Sequence, residues 1–306
     1  MTRVAFCFPG QGSQRVGMGK HLVERYPEAA AAFDEASEEL GLDLRRVCFD
    51  GPLEELSKTE VTQPALVITS IAAARVVEDE TGLRPDVVIG HSVGEYAALA
   101  VAGSVTVREV ARLTRERGLA TGTADVPGAM AAILGLADEV VEALCADAEA
   151  VWPANYNCPG QVVISGREEG VAAVSVAAKE AGGKSMRLRV AGAFHCPLMA
   201  GAVERLEPAL DAVQFRDLEM RYMSTVTSRF ETADRVPRLL RDQLTGPVRF
   251  TQAVQSLVAE GVGRFVELGS GTVLTGLVKR IDPALEALAV SEPRDLGAVR
   301  EAVASG

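Results

Sequence analysis

Residues 86–95 read Asp-Val-Val-Ile-Gly-His-Ser-Val-Gly-Glu, and this stretch constrains the chain more than any other. Val87, Val88 and Ile89 form an apolar, β-branched run of the kind found in a strand buried on both faces of a parallel sheet. Gly90 breaks the run, and Glu95 to Ala100 then has helix-forming composition. Gly90-His91-Ser92-Val93-Gly94 is therefore a G-x-S-x-G set between strand and helix, the context a nucleophile elbow needs. A serine on so tight a turn projects its oxygen into a cleft only if its flanks lack side chains. The helix start adds N–H donors and a positive dipole end, which suit an oxyanion. Ser92 is the expected nucleophile.

The remaining sequence narrows the setting. At 306 residues the chain can bury a sizeable core, as one large domain or two unequal ones. A net charge of −11 argues against nucleic acid or an anionic membrane as partner. No apolar run approaches the ~20 residues of a bilayer span, and Met1-Thr2-Arg3 leads straight into a strand without a signal-peptide pattern. An intracellular, cytoplasmic protein is expected. Five scattered cysteines without a C-x-x-C fit reduced thiols better than disulfides or zinc, and no metal site is expected.

Along the chain, Val4–Phe8 reads as a buried strand followed by Pro9-Gly10-Gln11-Gly12-Ser13-Gln14. This loop lacks the spacing of a dinucleotide fingerprint and the lysine of a P-loop. From the residues alone it is either a plain turn or a second set of backbone donors facing the serine. Gln63-Pro64 opens a long apolar helix with the proline in a tolerated first-turn position. Thr106 and Glu109 make a capping box for a helix from Val107 to about Leu119, which carries four arginines. Residues 121–128 read as a linker, rich in Gly and Thr and closed by a proline.

Residues 125–190 then read strand–helix–strand–helix–strand, a small inserted α+β subdomain of ferredoxin-like type. Residues 1–124 and 191–306 make a large α/β-hydrolase-like domain with a mainly parallel sheet, closed near the C-terminus by the run Leu285–Val290. Among the three histidines, His91 adjoins Ser92 and points away from it, while His21 starts an amphipathic helix and faces solvent. His195, in the loop Gly192-Ala193-Phe194-His195, is the best candidate base.

Taken in order, these segments resemble the malonyl-CoA:acyl-carrier-protein transacylases. The matching stretches are Phe8–Gln14, Thr62–Ala65, Gly90–Glu95, Arg117-Gly118, Asn155–Asn157, Gln161–Gly166, Gly192–His195, Gly246–Val248 and Val273–Leu277. The resemblance implies a Ser92 acyl-enzyme with His195 as general base, and an oxyanion hole from the backbone N–H groups of Gln11 and Val93. It also implies Arg117 as the holder of the malonyl carboxylate, with Gln63 and Asn157 lining the site. Phe194 would narrow the space at the substrate's alpha carbon. The histidine would be oriented by a main-chain carbonyl, mapped to Arg249. The implied partners are malonyl-CoA and an acyl carrier protein, with no cofactor beyond the CoA thioester as substrate.

Cys196 replaces a common serine, and Thr121-Gly122 stands where Met-Gln often follows Arg-Gly, which loosens the expected pocket wall. Lys184, Arg187, Arg189, Lys279 and Arg280 are candidates for a basic docking patch. Two other readings stand beside this one. The first is a trans-acting polyketide-synthase acyltransferase with a different extender unit or an editing role. The second is a serine hydrolase or thioesterase, although that fold expects an acid between serine and a histidine close to the C-terminus, and none follows His195.

Overall fold

The computed structural model describes residues 2–123, 126–188, 190 and 192–304. The apolar runs become strands in chain order: β1 (Arg3–Phe8), β2 (Val87–Gly90), β3 (Ala129–Leu134), β4 (Val151–Cys158), β5 (Gln161–Gly166) and β6 (Lys184–Arg187), then β7 (Arg221–Ser224), β8 (Arg229–Glu231), β9 (Val262–Leu268) and β10 (Glu286–Val290). They make two sheets. One has six strands in the order β10-β9-β1-β2-β7-β8, and the other has four in the order β4-β5-β3-β6. In the large sheet every pairing is parallel except the β7–β8 hairpin at one edge. Strands β1 and β2 lie at its centre and are buried almost throughout, which is why they read as unbroken apolar runs.

All pairings in the small sheet are antiparallel. Its βαββαβ chain order and strand order fit the ferredoxin-like arrangement. Its strands span Ala129 to Arg187, inside the expected insert. The expected boundary residues Ala124, Asp125 and Ala191 lie outside the described residues.

Several expectations are corrected. The insert has a fourth strand, β4, hidden in the sequence by Pro153 and three polar positions and broken by register shifts. The hairpin β7–β8 was not expected either. The apolar helix begins earlier and spans Thr59–Thr81, so Pro64 sits inside it and leaves the Glu60 carbonyl without its usual N–H. The arginine-bearing helix runs Val107–Gly122, with the expected capping box, and so takes in Thr121 and Gly122 from the expected linker. These two helices touch closely, since a Cβ on Gly118 would stand 2.5 Å from the Glu60 Cα. That contact brings Gln63 and Arg117 together.

Candidate active site

The elbow is held by packing on β1. A Cβ on Gly90 would lie 2.1 Å from the Glu95 nitrogen, and one on Gly94 would lie 2.0 Å from the Phe8 carbonyl oxygen. Between them Ser92 adopts φ 53°, the strained left-handed conformation expected of an elbow nucleophile. Val93 is buried at the N-cap of the Gly94–Val101 helix, where a backbone N–H has no partner within the helix. The Gly-rich loop closes against His91, as a Cβ on Gly10 would stand 2.7 Å from the His91 carbonyl oxygen. Gln11 thereby lines the same cavity as Ser92.

His195, also at positive φ (60°), places Nε2 2.7 Å from the Ser92 Oγ. Its Nδ1 lies 2.7 Å from the main-chain carbonyl of Gln243. A carbonyl only accepts, so Nδ1 carries the proton and Nε2 is free to take one from Ser92. Burial, then the nearby Arg117 cation, pushes the His195 pKa down to about 3, which keeps the ring neutral.

The orienting carbonyl is therefore Gln243, not Arg249. Gln243 lies in the last turn of the Val236–Thr245 helix, where carbonyls lack intrahelical partners. That helix ends before Gly246-Pro247, so a free carbonyl is available there. The Arg249 carbonyl instead caps the next helix, accepting from Ala253 N at 3.0 Å.

Arg117 is buried, with 4 % exposure. Its Nη1 donates to Gln63 Oε1 at 2.9 Å, and its Nη2 donates to Gln243 Oε1 at 3.0 Å and Ser92 Oγ at 3.3 Å. The guanidinium lies over the Tyr96 ring, and its Nε is buried without a hydrogen-bond partner among the described residues. Among the described residues no carboxylate is hydrogen-bonded or ion-paired to it. Burial lowers its pKa from the ordinary arginine value.

The cavity around these groups measures about 140 Å³ and includes Gln63, Arg117, Phe194 and His195, roofed by Met130, Leu188 and Val190 from the inserted segment. Asn157 is not part of its lining. Its Oδ1 accepts from His91 Nε2 at 2.8 Å, and Asn155 lines the cavity instead. The irregular register of β4 sets that choice. His91 thus serves Asn157 and not Ser92, as expected of neighbours on a tight turn. His21 is exposed and pairs with Glu292.

Sequence reasoning missed Gln243, Asn155 and Glu95. Glu95 had a signal, as an acid at the buried start of an otherwise apolar helix. All five cysteines are free and buried, and among the described residues no three His, Cys, Asp or Glu side chains gather as metal ligands. No described helix is long and apolar enough to cross a membrane. Of the basic patch, Arg187 is clasped by Glu168, Lys279 donates to the Leu285 carbonyl, and Arg280 donates to Gln161. Lys184 is exposed, and Arg189 lies outside the described residues.

A strained serine, a neutral histidine locked by a carbonyl, and a buried cation beside the serine oxygen define a serine acyl-enzyme on an α/β fold. The Acyl transferase domain family model matches residues 5–292, and the chain belongs to that family. It is 44 % identical to the malonyl CoA-acyl carrier protein transacylase of Bacillus subtilis, over 97 % of this chain and 96 % of that one. Among solved structures, an acyl carrier protein S-malonyltransferase from Vibrio cholerae superposes with a TM-score of 0.94 at 42 % identity, covering 97 % of this chain and 100 % of that one. A malonyl-transacylase in complex with its type II polyketide acyl carrier protein superposes with a TM-score of 0.94 at 38 % identity, covering 98 % and 100 %.

Proposed function

We propose that this protein transfers a malonyl group from malonyl-CoA to the phosphopantetheine thiol of an acyl carrier protein, in two half-reactions through Ser92. In the first, His195 Nε2 takes the Ser92 proton as Oγ attacks the thioester carbonyl. The backbone N–H groups of Gln11 and Val93 receive the oxyanion, and CoA leaves as the thiol with the proton from His195. In the second, the carrier thiol gives its proton to His195 and its sulfur attacks the acyl-serine carbonyl, and Ser92 leaves as the hydroxyl with that proton from His195 Nε2. Each step is acyl exchange without net redox change, so no cofactor is needed beyond the thioester itself.

The observation that carries the choice of acyl group is Arg117. It is a buried guanidinium 3.3 Å from the acylated oxygen, held directly by neutral glutamine oxygens, with no carboxylate among the described residues bonded to it and Glu95 reaching it only across Gln243. Burying such a charge costs free energy unless a bound anion offsets it, and a malonyl carboxylate on an acyl-serine supplies one. A hydrolase of neutral acyl groups has no use for that cation. The names of the relatives support the same reading, and the carrier complex among the structural neighbours supports the partner. A cytoplasmic setting is part of this proposal, and no described helix is long and apolar enough to cross a membrane. Lys184 and Arg280, on the rim of the small sheet and the helix beside it, are the proposed contacts for the carrier.

The test is intact-protein mass spectrometry after brief mixing with malonyl-, methylmalonyl- and acetyl-CoA in competition. A malonyl adduct that a carrier protein discharges supports the reading. A dominant adduct of another acyl group points to a different extender unit. Steady CoA release with no adduct supports a hydrolase.

A further inference from the structure

Glu95 is buried with 0 % exposure, three residues beyond Ser92 in the helix that follows the elbow. Its Oε1 accepts from the Thr225 backbone N–H at 2.5 Å and the Thr225 hydroxyl at 2.6 Å. Its Oε2 accepts from the Tyr222 hydroxyl at 2.9 Å and from Gln243 Nε2 at 2.8 Å. Four donors converge on two oxygens, a set that suits the ionised carboxylate, which only accepts. Burial raises its pKa above the ordinary glutamate value, and these hydrogen bonds oppose the rise.

The consequence falls on Gln243. The two ends of an amide are nearly the same size but opposite in polarity. A carboxylate takes only the NH₂ end, and the Ser92 carbonyl, 3.1 Å from the same nitrogen, does likewise. The Gln243 oxygen is therefore turned the other way, onto Arg117 Nη2.

Gln63 repeats the device on the far side. The Thr121 hydroxyl gives its proton to the Arg117 carbonyl at 2.7 Å, so it can only accept from Gln63 Nε2, at 3.3 Å. That leaves the Gln63 oxygen facing Arg117 Nη1. Each arm of the guanidinium fork thus meets an amide oxygen whose direction a second group has fixed.

We propose that Glu95 is a positioning residue for substrate selection: by holding the Gln243 amide it aims the Arg117 fork at the acyl group's carboxylate. Glu95 touches neither substrate nor Ser92 Oγ and acts only through Gln243. The inference rests on the malonyl reading above.

Glu95→Gln tests it, because an amide facing the same four donors must turn an NH₂ toward some of them and release Gln243. Acylation of the full chain is followed by rapid mixing and mass spectrometry with malonyl- and acetyl-CoA. The half-saturating malonyl-CoA concentration is expected to rise about tenfold, with the maximal acylation rate falling less than about threefold. The malonyl-to-acetyl ratio is expected to fall about tenfold.

Gln243→Met, which keeps the main-chain carbonyl for His195, is expected to lower the same ratio. The double variant should be no worse than the more affected single one, since both act through one amide. An unchanged ratio in Glu95→Gln, an equal loss of malonyl and acetyl acylation, or additive losses in the double variant overturns the proposal. If thermal melting shows Glu95→Gln unfolded, Gln243→Met decides alone, and a wild-type ratio there overturns it. A wild-type protein with no malonyl preference would instead overturn the malonyl reading.

Discussion

The cavity wall that carries Ser92 and Arg117 is polar and packed so closely that Gly90, Gly94 and Gly118 leave no room for a methyl group. The facing wall, supplied by the antiparallel sheet and the segment after it, is mainly apolar, with Met130, Leu188 and Val190 beside the single amide of Asn155. On the first wall Ser92, His195 and Arg117 are each held by two or more partners. On the second, the apolar side chains meet the cavity by shape. The difference separates two tasks. The first wall sets where charge and protons go, and the second keeps water from an acyl-serine that would otherwise hydrolyse.

The contrast can be broken most severely at Ser92. Ser92→Ala should abolish the acyl adduct altogether, read by intact mass after mixing with malonyl-CoA. His195→Ala should slow both half-reactions by about 10²–10⁴-fold in stopped-flow assays. Because burial and the Arg117 cation push its pKa to about 3, His195 is already the neutral base at acid pH. Acylation should therefore lose no rate to His195 as pH falls from 7 to about 5, with the loss coming only on approach to its low pKa. An acid limb near the ordinary histidine value of ~6.5 would contradict this geometry.

Arg117→Ala should cost malonyl acylation roughly 1.5–3 kcal/mol, about 10- to 150-fold, with a much smaller effect on acetyl-CoA. The same variant removes one cause of the low His195 pKa and should move the acid limb upward. The smallest effect on chemistry is expected across the cleft. Met130→Ala should lower stability by about 2 kcal/mol in chemical denaturation through the cavity it leaves, with the malonyl-to-acetyl ratio kept within about twofold. A larger change there would mean that the apolar wall also selects the acyl group.

Short-range patterns made much of this legible. The β-branched run before Gly90 reads as a buried strand, and the two glycines around a serine read as a tight turn. The capping box at Thr106 fixed where the Arg117 helix starts. Less legible were β4, where Pro153 and polar side chains mask the strand, and β7–β8, which are short and lie toward one edge of the sheet.

By itself, then, the sequence determined the elbow, the α/β layering and the identity of the nucleophile, because each depends on residues adjacent in the chain. It also singled out His195, since few histidines compete and only one lies in a loop of small residues. Tertiary structure alone decided which carbonyl holds that histidine, which asparagine reaches the cavity, and that Glu95 faces Gln243 across the site. The first and last of these depend on where a helix end from residues 236–245 comes to rest against an elbow some 150 positions earlier, and the second on the register of β4 against β5. A free carbonyl in a last turn is a local property, but which carbonyl meets the imidazole is set only when the packed elements fix their distances.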